Sequence, residues 1–252
     1  MIRRPVLAAN WKMNHGPTEA RAFVAAFLAS YSPRDDRTVV IFPPALSLSA
    51  ARDALGPRSD VQLGVQNIHS EAKGAFTGEN SAPMARDAGA RMALVGHSER
   101  RHVFGESDDA TAKKCAVALL HSLTPMLCVG EKIEEREKGH TEQVVLRQLR
   151  TGLSLVEKKM LSGILIAYEP VWAIGTGKTA TSSDASSVHD VIRRELGKVA
   201  GSVEIAGGIP ILYGGSVNRE NARSLLEARG VDGLLVGGAS LDASSWGAIA
   251  ST

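Results

Sequence analysis

Eight short apolar runs, separated by helix-patterned segments, restrict this 252-residue chain to very few folds. The runs are Val6–Ala9, Thr38–Phe42, Val61–Val65, Met92–Val95, Pro125–Val129, Ile164–Ala167, Ile209–Leu212 and Leu234–Val236. Each has the length of a buried strand, and runs that stay apolar throughout suit a parallel sheet covered on both faces. Between them, Ala20, Phe23, Val24, Phe27 and Leu28 recur at helical spacing and make one apolar stripe. Ala185, Val188, Ile192, Leu196 and Val199 make another. Asn218 reads as the N-cap of a helix that runs through Leu225 and Leu226 and stops at Gly230. Such alternation leaves a closed (βα)₈ barrel or an open doubly wound sheet.

The residues that end the runs decide between them. Asn10 and Lys12, Pro43-Pro44, Gln66-Asn67, His97, Gly130-Glu131, Glu169, Gly214-Gly215-Ser216 and Gly237-Gly238 all follow apolar runs directly or nearly so. In a barrel every strand C-terminus opens on one active face, whereas an open sheet needs special ends only beside its switch point. Chemistry spread over nearly every strand favours an eight-stranded parallel barrel ringed by helices. About 250 residues is the ordinary length for one such barrel, and no linker or composition shift divides residues 1–252.

Composition excludes several classes. Net charge is +2 and no Lys/Arg run builds a basic stripe, which argues against nucleic acid as a partner. No apolar stretch approaches a membrane span. Cys115 and Cys128 are too few for a disulfide framework and read as reduced thiols. The arginines at positions 3 and 4 are followed by no small-residue cleavage pattern, so a cytoplasmic protein is expected.

Two glycine pairs point to a phosphate. Tyr213-Gly214-Gly215-Ser216 follows the seventh run and Val236-Gly237-Gly238 follows the eighth. Paired glycines let backbone N–H groups approach an anion, and these two loops are the usual phosphate site of the architecture. Gly175-Thr176-Gly177-Lys178-Thr179 is not a P-loop, because Trp172 stands where that motif needs its first glycine. Tyr168-Glu169-Pro170-Val171-Trp172 reads instead as a strand that ends in a carboxylate and enters an apolar lid. Pro170–Trp172 and Lys178–Ala180 form its stiff ends. His97 follows a strand and precedes Ser98-Glu99, which open a short helix. A helix N-terminus disfavours the imidazolium, so the ring stays neutral and donates a hydrogen bond. Lys12 brings a positive charge to the same mouth. No spacing of His, Cys or carboxylates matches a metal site, and no organic cofactor motif is present, so none is expected.

Asn10-Trp11-Lys12-Met13-Asn14, Gly74–Glu79, Gly96-His97-Ser98-Glu99-Arg100, Tyr168–Ala180 and Tyr213–Val217 together resemble the triosephosphate isomerase family, in its order and at its spacing along the whole chain. The resemblance implies a TIM barrel that interconverts D-glyceraldehyde 3-phosphate and dihydroxyacetone phosphate in glycolysis and gluconeogenesis. It also implies roles. Glu169 is the base, His97 the electrophile and Lys12 the electrostatic stabiliser, paired with Glu99. Asn10 binds substrate, and the amides of Gly175, Ser216, Gly237 and Gly238 hold its phosphate. It further implies a homodimer in which the 74–79 loop enters the partner's site, with Thr77 reaching towards Asn10 and Lys12. Two departures stand out. Thr181-Ser182-Ser183 replaces the family's frequent Thr-Pro-Glu, and His15 intervenes between Asn14 and Gly16. Two rival readings are a barrel isomerase of a larger sugar phosphate and a non-catalytic phosphate-binding barrel.

Overall fold

The computed structural model describes residues 2–174 and 180–252. Eight parallel strands form a closed barrel in sequence order. They are β1 (Val6–Asn10), β2 (Thr38–Phe42), β3 (Val61–Val65), β4 (Met92–Val95), β5 (Thr124–Val129), β6 (Leu165–Tyr168), β7 (Ile211–Tyr213) and β8 (Gly233–Val236). Every expected apolar run therefore holds a strand, with ends shifted by no more than a residue or two.

The runs are continuous because both faces of each strand are buried, for different reasons. Val6, Ala8, Val40, Phe42, Met92, Leu94, Met126 and Cys128 belong to a core inside the barrel. Their neighbours Leu7, Ala9, Val39, Ile41, Ala93, Val95 and Leu127 join a second core between the barrel and the helices. The helical stripe contributes Ala20, Phe23, Val24 and Phe27 to that outer core, from a helix spanning Pro17–Ser30. Ala185, Val188, Ile192 and Leu196 do the same from the helix Ser182–Ala200. Closure occurs where Val6 pairs with Gly233. A β-carbon at Gly233 would lie 2.0 Å from the Val6 carbonyl oxygen, so the strands can meet there only through a glycine.

The helix after β7 starts later than expected, at Ala222, and ends at Leu226. Asn218 and Asn221 instead accept from each other's backbone N–H, at 2.9 and 2.8 Å. This reciprocal pair is a capping box, and the Ala222 N–H donates to the Asn218 carbonyl at 3.1 Å, so Asn218 caps the turn that leads into the helix. The Asn221 side-chain amide also donates to the Ser216 carbonyl at 3.0 Å, so the turn braces the glycine-rich loop beside it.

His189 lies buried in the Ser182–Ala200 helix, with Nδ1 2.9 Å from the Gly230 carbonyl and Nε2 without a partner among the described residues. Burial pushes its imidazole down to about 4 from an ordinary 6.5. The unfolded chain then binds the extra proton between these values. Stability should be full above pH 6.5 and fall as pH drops towards 4, by up to about 3 kcal/mol. Urea titrations across that window should show a steeper loss in wild type than in His189→Gln. Equal slopes would remove His189 as the cause.

Candidate active site

The C-terminal ends of the strands surround a cavity of about 350 Å³. Asn10, Lys12, His97, Glu169, Ser216, Gly237 and Gly238 all line it. Residues from the loops after β1, β4, β6, β7 and β8 thus converge, as a barrel requires. The volume lies at the small end for ligand pockets, which run from about 300 to 1,000 Å³.

Glu169 is the first residue past β6 and is only 2% exposed. Its N–H continues the ladder to the Val129 carbonyl at 2.8 Å. A β-carbon at Gly130 would fall 1.7 Å from the Glu169 carbonyl oxygen, so glycine there lets the end of β5 lie directly against the Glu169 backbone. The Ser98 N–H donates to Glu169 Oε2 at 2.8 Å. His97 Nε2 lies 3.1 Å from Oε1.

His97 caps the short helix Ser98–His102, and its Nδ1 accepts the Glu99 N–H at 3.3 Å. A nitrogen that accepts carries no proton, so this bond assigns the hydrogen to Nε2 and leaves the ring neutral. Nε2–H therefore faces Glu169 and the cavity. The backbone just before His97 is held as well. Glu106 accepts the Gly96 N–H at 3.1 Å, and Arg101 donates to the Gly96 carbonyl at 2.7 Å.

Lys12 adopts φ +51°, a left-handed conformation rare for a residue with a side chain. Its polar groups are fixed on three sides. Its N–H donates to Asn10 Oδ1 at 3.0 Å, its carbonyl accepts from Gln66 Nε2 at 2.8 Å, and its ammonium meets Glu99 at 2.6 Å. Strained backbone of this kind persists where neighbours over-determine it, and it clusters at functional sites. The Lys12–Glu99 pair is present as the resemblance implied.

At the far side of the cavity, the amides of Ser216, Gly237 and Gly238 have no hydrogen-bond partner among the described residues. Gly238–Ser240 forms a single 3-10 turn, whose Ser240 hydroxyl donates back to the Val236 carbonyl at 3.0 Å. Unpartnered backbone N–H groups at such a turn suit an anion. The fourth expected amide, Gly175, lies outside the described residues, as does most of the expected lid tip.

The first flank of that segment is ordered by a residue the sequence reading left without a role. Glu131 is fully buried and accepts from the Tyr168 hydroxyl and, at 2.9 Å, from the Trp172 indole. Burial raises its carboxyl above the usual range, against these hydrogen bonds. Gln66, Glu106 and Glu131 were all missed as supports. Gln66 and Glu131 stood at strand ends in the sequence, but nothing local says which backbone or side chain each one serves. The two thiols are free and buried, and burial pushes Cys115 up to about 12 and Cys128 well above its ordinary value, so neither is a nucleophile. Among the described residues no three His, Cys, Asp or Glu side chains are grouped to hold a metal ion.

A sequence profile of the family described as Triosephosphate isomerase matches residues 5–252. Curated relatives of that name align along nearly the full chain. The protein from Roseiflexus castenholzii is 48% identical over 97% of this chain and 96% of its own. That from Moorella thermoacetica is 48% identical over 98% of each. That from Aquifex aeolicus is 46% identical, also over 98% of each.

Proposed function

We propose that this chain, which belongs to the triosephosphate isomerase family, isomerises triose phosphates with Glu169 as the carbon base and with His97 and Lys12 meeting the charge that develops on oxygen. The interconverted pair is D-glyceraldehyde 3-phosphate and dihydroxyacetone phosphate. The observation that carries the assignment of roles is one juxtaposition. A carboxylate 2% exposed, a neutral imidazole N–H 3.1 Å from it and an ammonium line a single cavity whose other side offers free amides.

The mechanism follows from these positions. The amides of Ser216, Gly237 and Gly238 hold the phosphate, joined by Gly175 from the lid. Glu169, released from Ser98, takes a proton from the carbon beside the carbonyl. His97 Nε2–H and the Lys12 ammonium stabilise the enediolate, and Asn10 orients it. The proton then returns to the neighbouring carbon. Closing the lid over Glu169 dries the site and protects the intermediate from losing phosphate. A coupled assay with each substrate separates a triose phosphate from a larger sugar phosphate. Turnover itself excludes a purely binding role.

No step needs a metal or organic cofactor. Exhaustive chelation should leave the rate unchanged, and a loss restored by one divalent ion would overturn this.

The chain is read as one barrel domain, cytoplasmic, working as a homodimer through the 74–79 loop. No helix among the described residues is long and apolar enough to cross a membrane. Phe76 is half-exposed on that loop, touching the His69 ring at 4.0 Å, and Thr77 is exposed. On the same chain a second recess, bordered by Met13, Gln66, Glu99 and Phe104, adjoins Asn10, Lys12 and His97. Met13 is 95% exposed and Phe104 68%, an apolar rim with nothing over it in one chain. A protruding loop and an apolar recess on one molecule satisfy each other in a two-fold pair. Light scattering at assay concentration should give twice the chain mass. An active species at the monomer mass contradicts the dimer.

A further inference from the structure

His15, the second departure from the family pattern, stands at φ +62°, a conformation that residues with a side chain rarely adopt. Three contacts hold it there. Its carbonyl accepts the hydroxyl of Ser47, a fully buried residue, at 2.6 Å. Its ring meets the Trp11 ring edge-on, with centroids 4.8 Å apart. Its Nε2 lies 3.0 Å from the Leu241 carbonyl oxygen. A carbonyl can only accept, so Nε2 carries a hydrogen and donates it.

The third contact reaches the far side of the cavity. Leu241 closes the 3-10 turn Gly238–Ser240, its N–H donating to the Gly238 carbonyl at 3.1 Å, and the Ser240 N–H donates to the Gly237 carbonyl at 2.8 Å. Gly237, Gly238 and Leu241 all line the cavity. The carbonyl that His15 holds therefore ends the turn whose amides are free for an anion. His15 itself belongs to the loop after β1, which carries Lys12. The two segments lie side by side, for a β-carbon at Gly237 would stand 3.5 Å from Lys12 Cε.

We propose that His15 is a positioning residue for the phosphate group, which ties the Gly238–Ser240 turn to the loop after β1 through its bond to Leu241. The bonds inside the turn give it its shape. The bond from His15 sets where the amides of Gly237 and Gly238 sit relative to Lys12. A turn already in place loses less conformational freedom when the anion arrives. A left-handed residue over-determined by its neighbours is the kind of strain that ligand clamps hold. The inference rests on the isomerase reading and on a phosphate seated at Gly237 and Gly238.

Asparagine and glutamine separate the bond from the backbone. Asparagine tolerates a left-handed φ better than most residues, and its amide ends near the place of Nδ1, short of Leu241. Glutamine is one methylene longer and brings its amide nitrogen near the place of Nε2. Both lack the ring. His15→Asn should raise KM for triose phosphate about three- to tenfold, the range for one neutral hydrogen bond. Its kcat should change less than about twofold, because the grip on phosphate is the same in ground and transition states. The Kd of inorganic phosphate, read by calorimetry without turnover, should rise by the same factor. His15→Phe keeps a ring against Trp11 but has no donor, and it should match His15→Asn. His15→Gln should stay within about twofold of wild type in both KM and Kd. Wild-type KM and Kd in His15→Asn or His15→Phe, or an equal rise in His15→Gln and His15→Asn, overturns the proposal and leaves His15 as packing alone. A wild-type chain that binds phosphate without turnover would instead overturn the isomerase reading.

Discussion

Glu169→Gln should lower kcat by a factor on the order of 10² to 10⁴, the usual worth of a general base, while KM stays within a few-fold of wild type. The substitution is nearly isosteric. Its amide oxygen can still accept the Ser98 N–H that meets Oε2 at 2.8 Å, so the loop after β4 keeps its place. What is lost is the one carboxylate among the described residues that line the cavity. His97 Nδ1 is occupied by the Glu99 N–H and its Nε2 is already protonated, so the ring cannot take over. An effect confined to the transition state lowers kcat and kcat/KM together. Steady-state kinetics in both directions, with circular dichroism to confirm the fold, decides the matter. A variant within threefold of wild type removes Glu169 from the base role.

Lys12→Met should cost about 10² to 10³ in kcat/KM, the loss seen when one preorganised charge or donor leaves a dry site. Unlike Glu169→Gln, it should act on both constants. A phosphate monoester carries about −1.5 to −2 charge at neutral pH, and Lys12 is the one Lys or Arg among the described residues that line the cavity. Its removal weakens ground-state binding and leaves the enediolate oxygen with His97 alone. It also uncovers Glu99, now 2.6 Å from that ammonium, and turns the mouth negative. Methionine keeps the length of the side chain, and the bonds from Asn10 and Gln66 to the residue 12 backbone do not involve the side chain. The left-handed backbone should therefore persist. Raising ionic strength should depress wild-type kcat/KM and affect the variant much less, because screening acts on the charge it lacks. A variant within tenfold of wild type, or with the same salt dependence, denies Lys12 this part.

The contrast between these substitutions shows what kind of information each residue carried in the sequence. Glu169, His97 and Lys12 were legible because each follows an apolar run, and a barrel sends every such position to one mouth. The tautomer of His97 was half-legible. Ser98-Glu99 announced a helix start, but the 3.3 Å bond from the Glu99 N–H that fixes the proton on Nε2 is a matter of coordinates. Glu131 was visible only as a strand-end residue. Its burial against Tyr168 and Trp172 joins elements 37 and 41 residues apart, a separation that no local pattern encodes. Asn218 was legible as a cap by type, but that its partner would be Asn221, which also braces Ser216, was not.

The sequence by itself determined the periodicities. Strand-length apolar runs, helical stripes and polar residues at run ends follow from side-chain volume and polarity along a local backbone, and they specify an eight-fold alternation with one chemical face. The strand ends already pointed to a closed barrel; only the tertiary structure showed how it closes, through a contact of Val6 with Gly233 that tolerates no β-carbon. It alone decided that Lys12 is held left-handed by Asn10 and Gln66, and that Asp184 reaches Arg136 across 48 residues. Those facts depend on hydrogen bonds and sterics between distant segments. Such contacts form only after the barrel has brought the strand ends together, so their partners leave no mark in the local pattern that reading a sequence relies on.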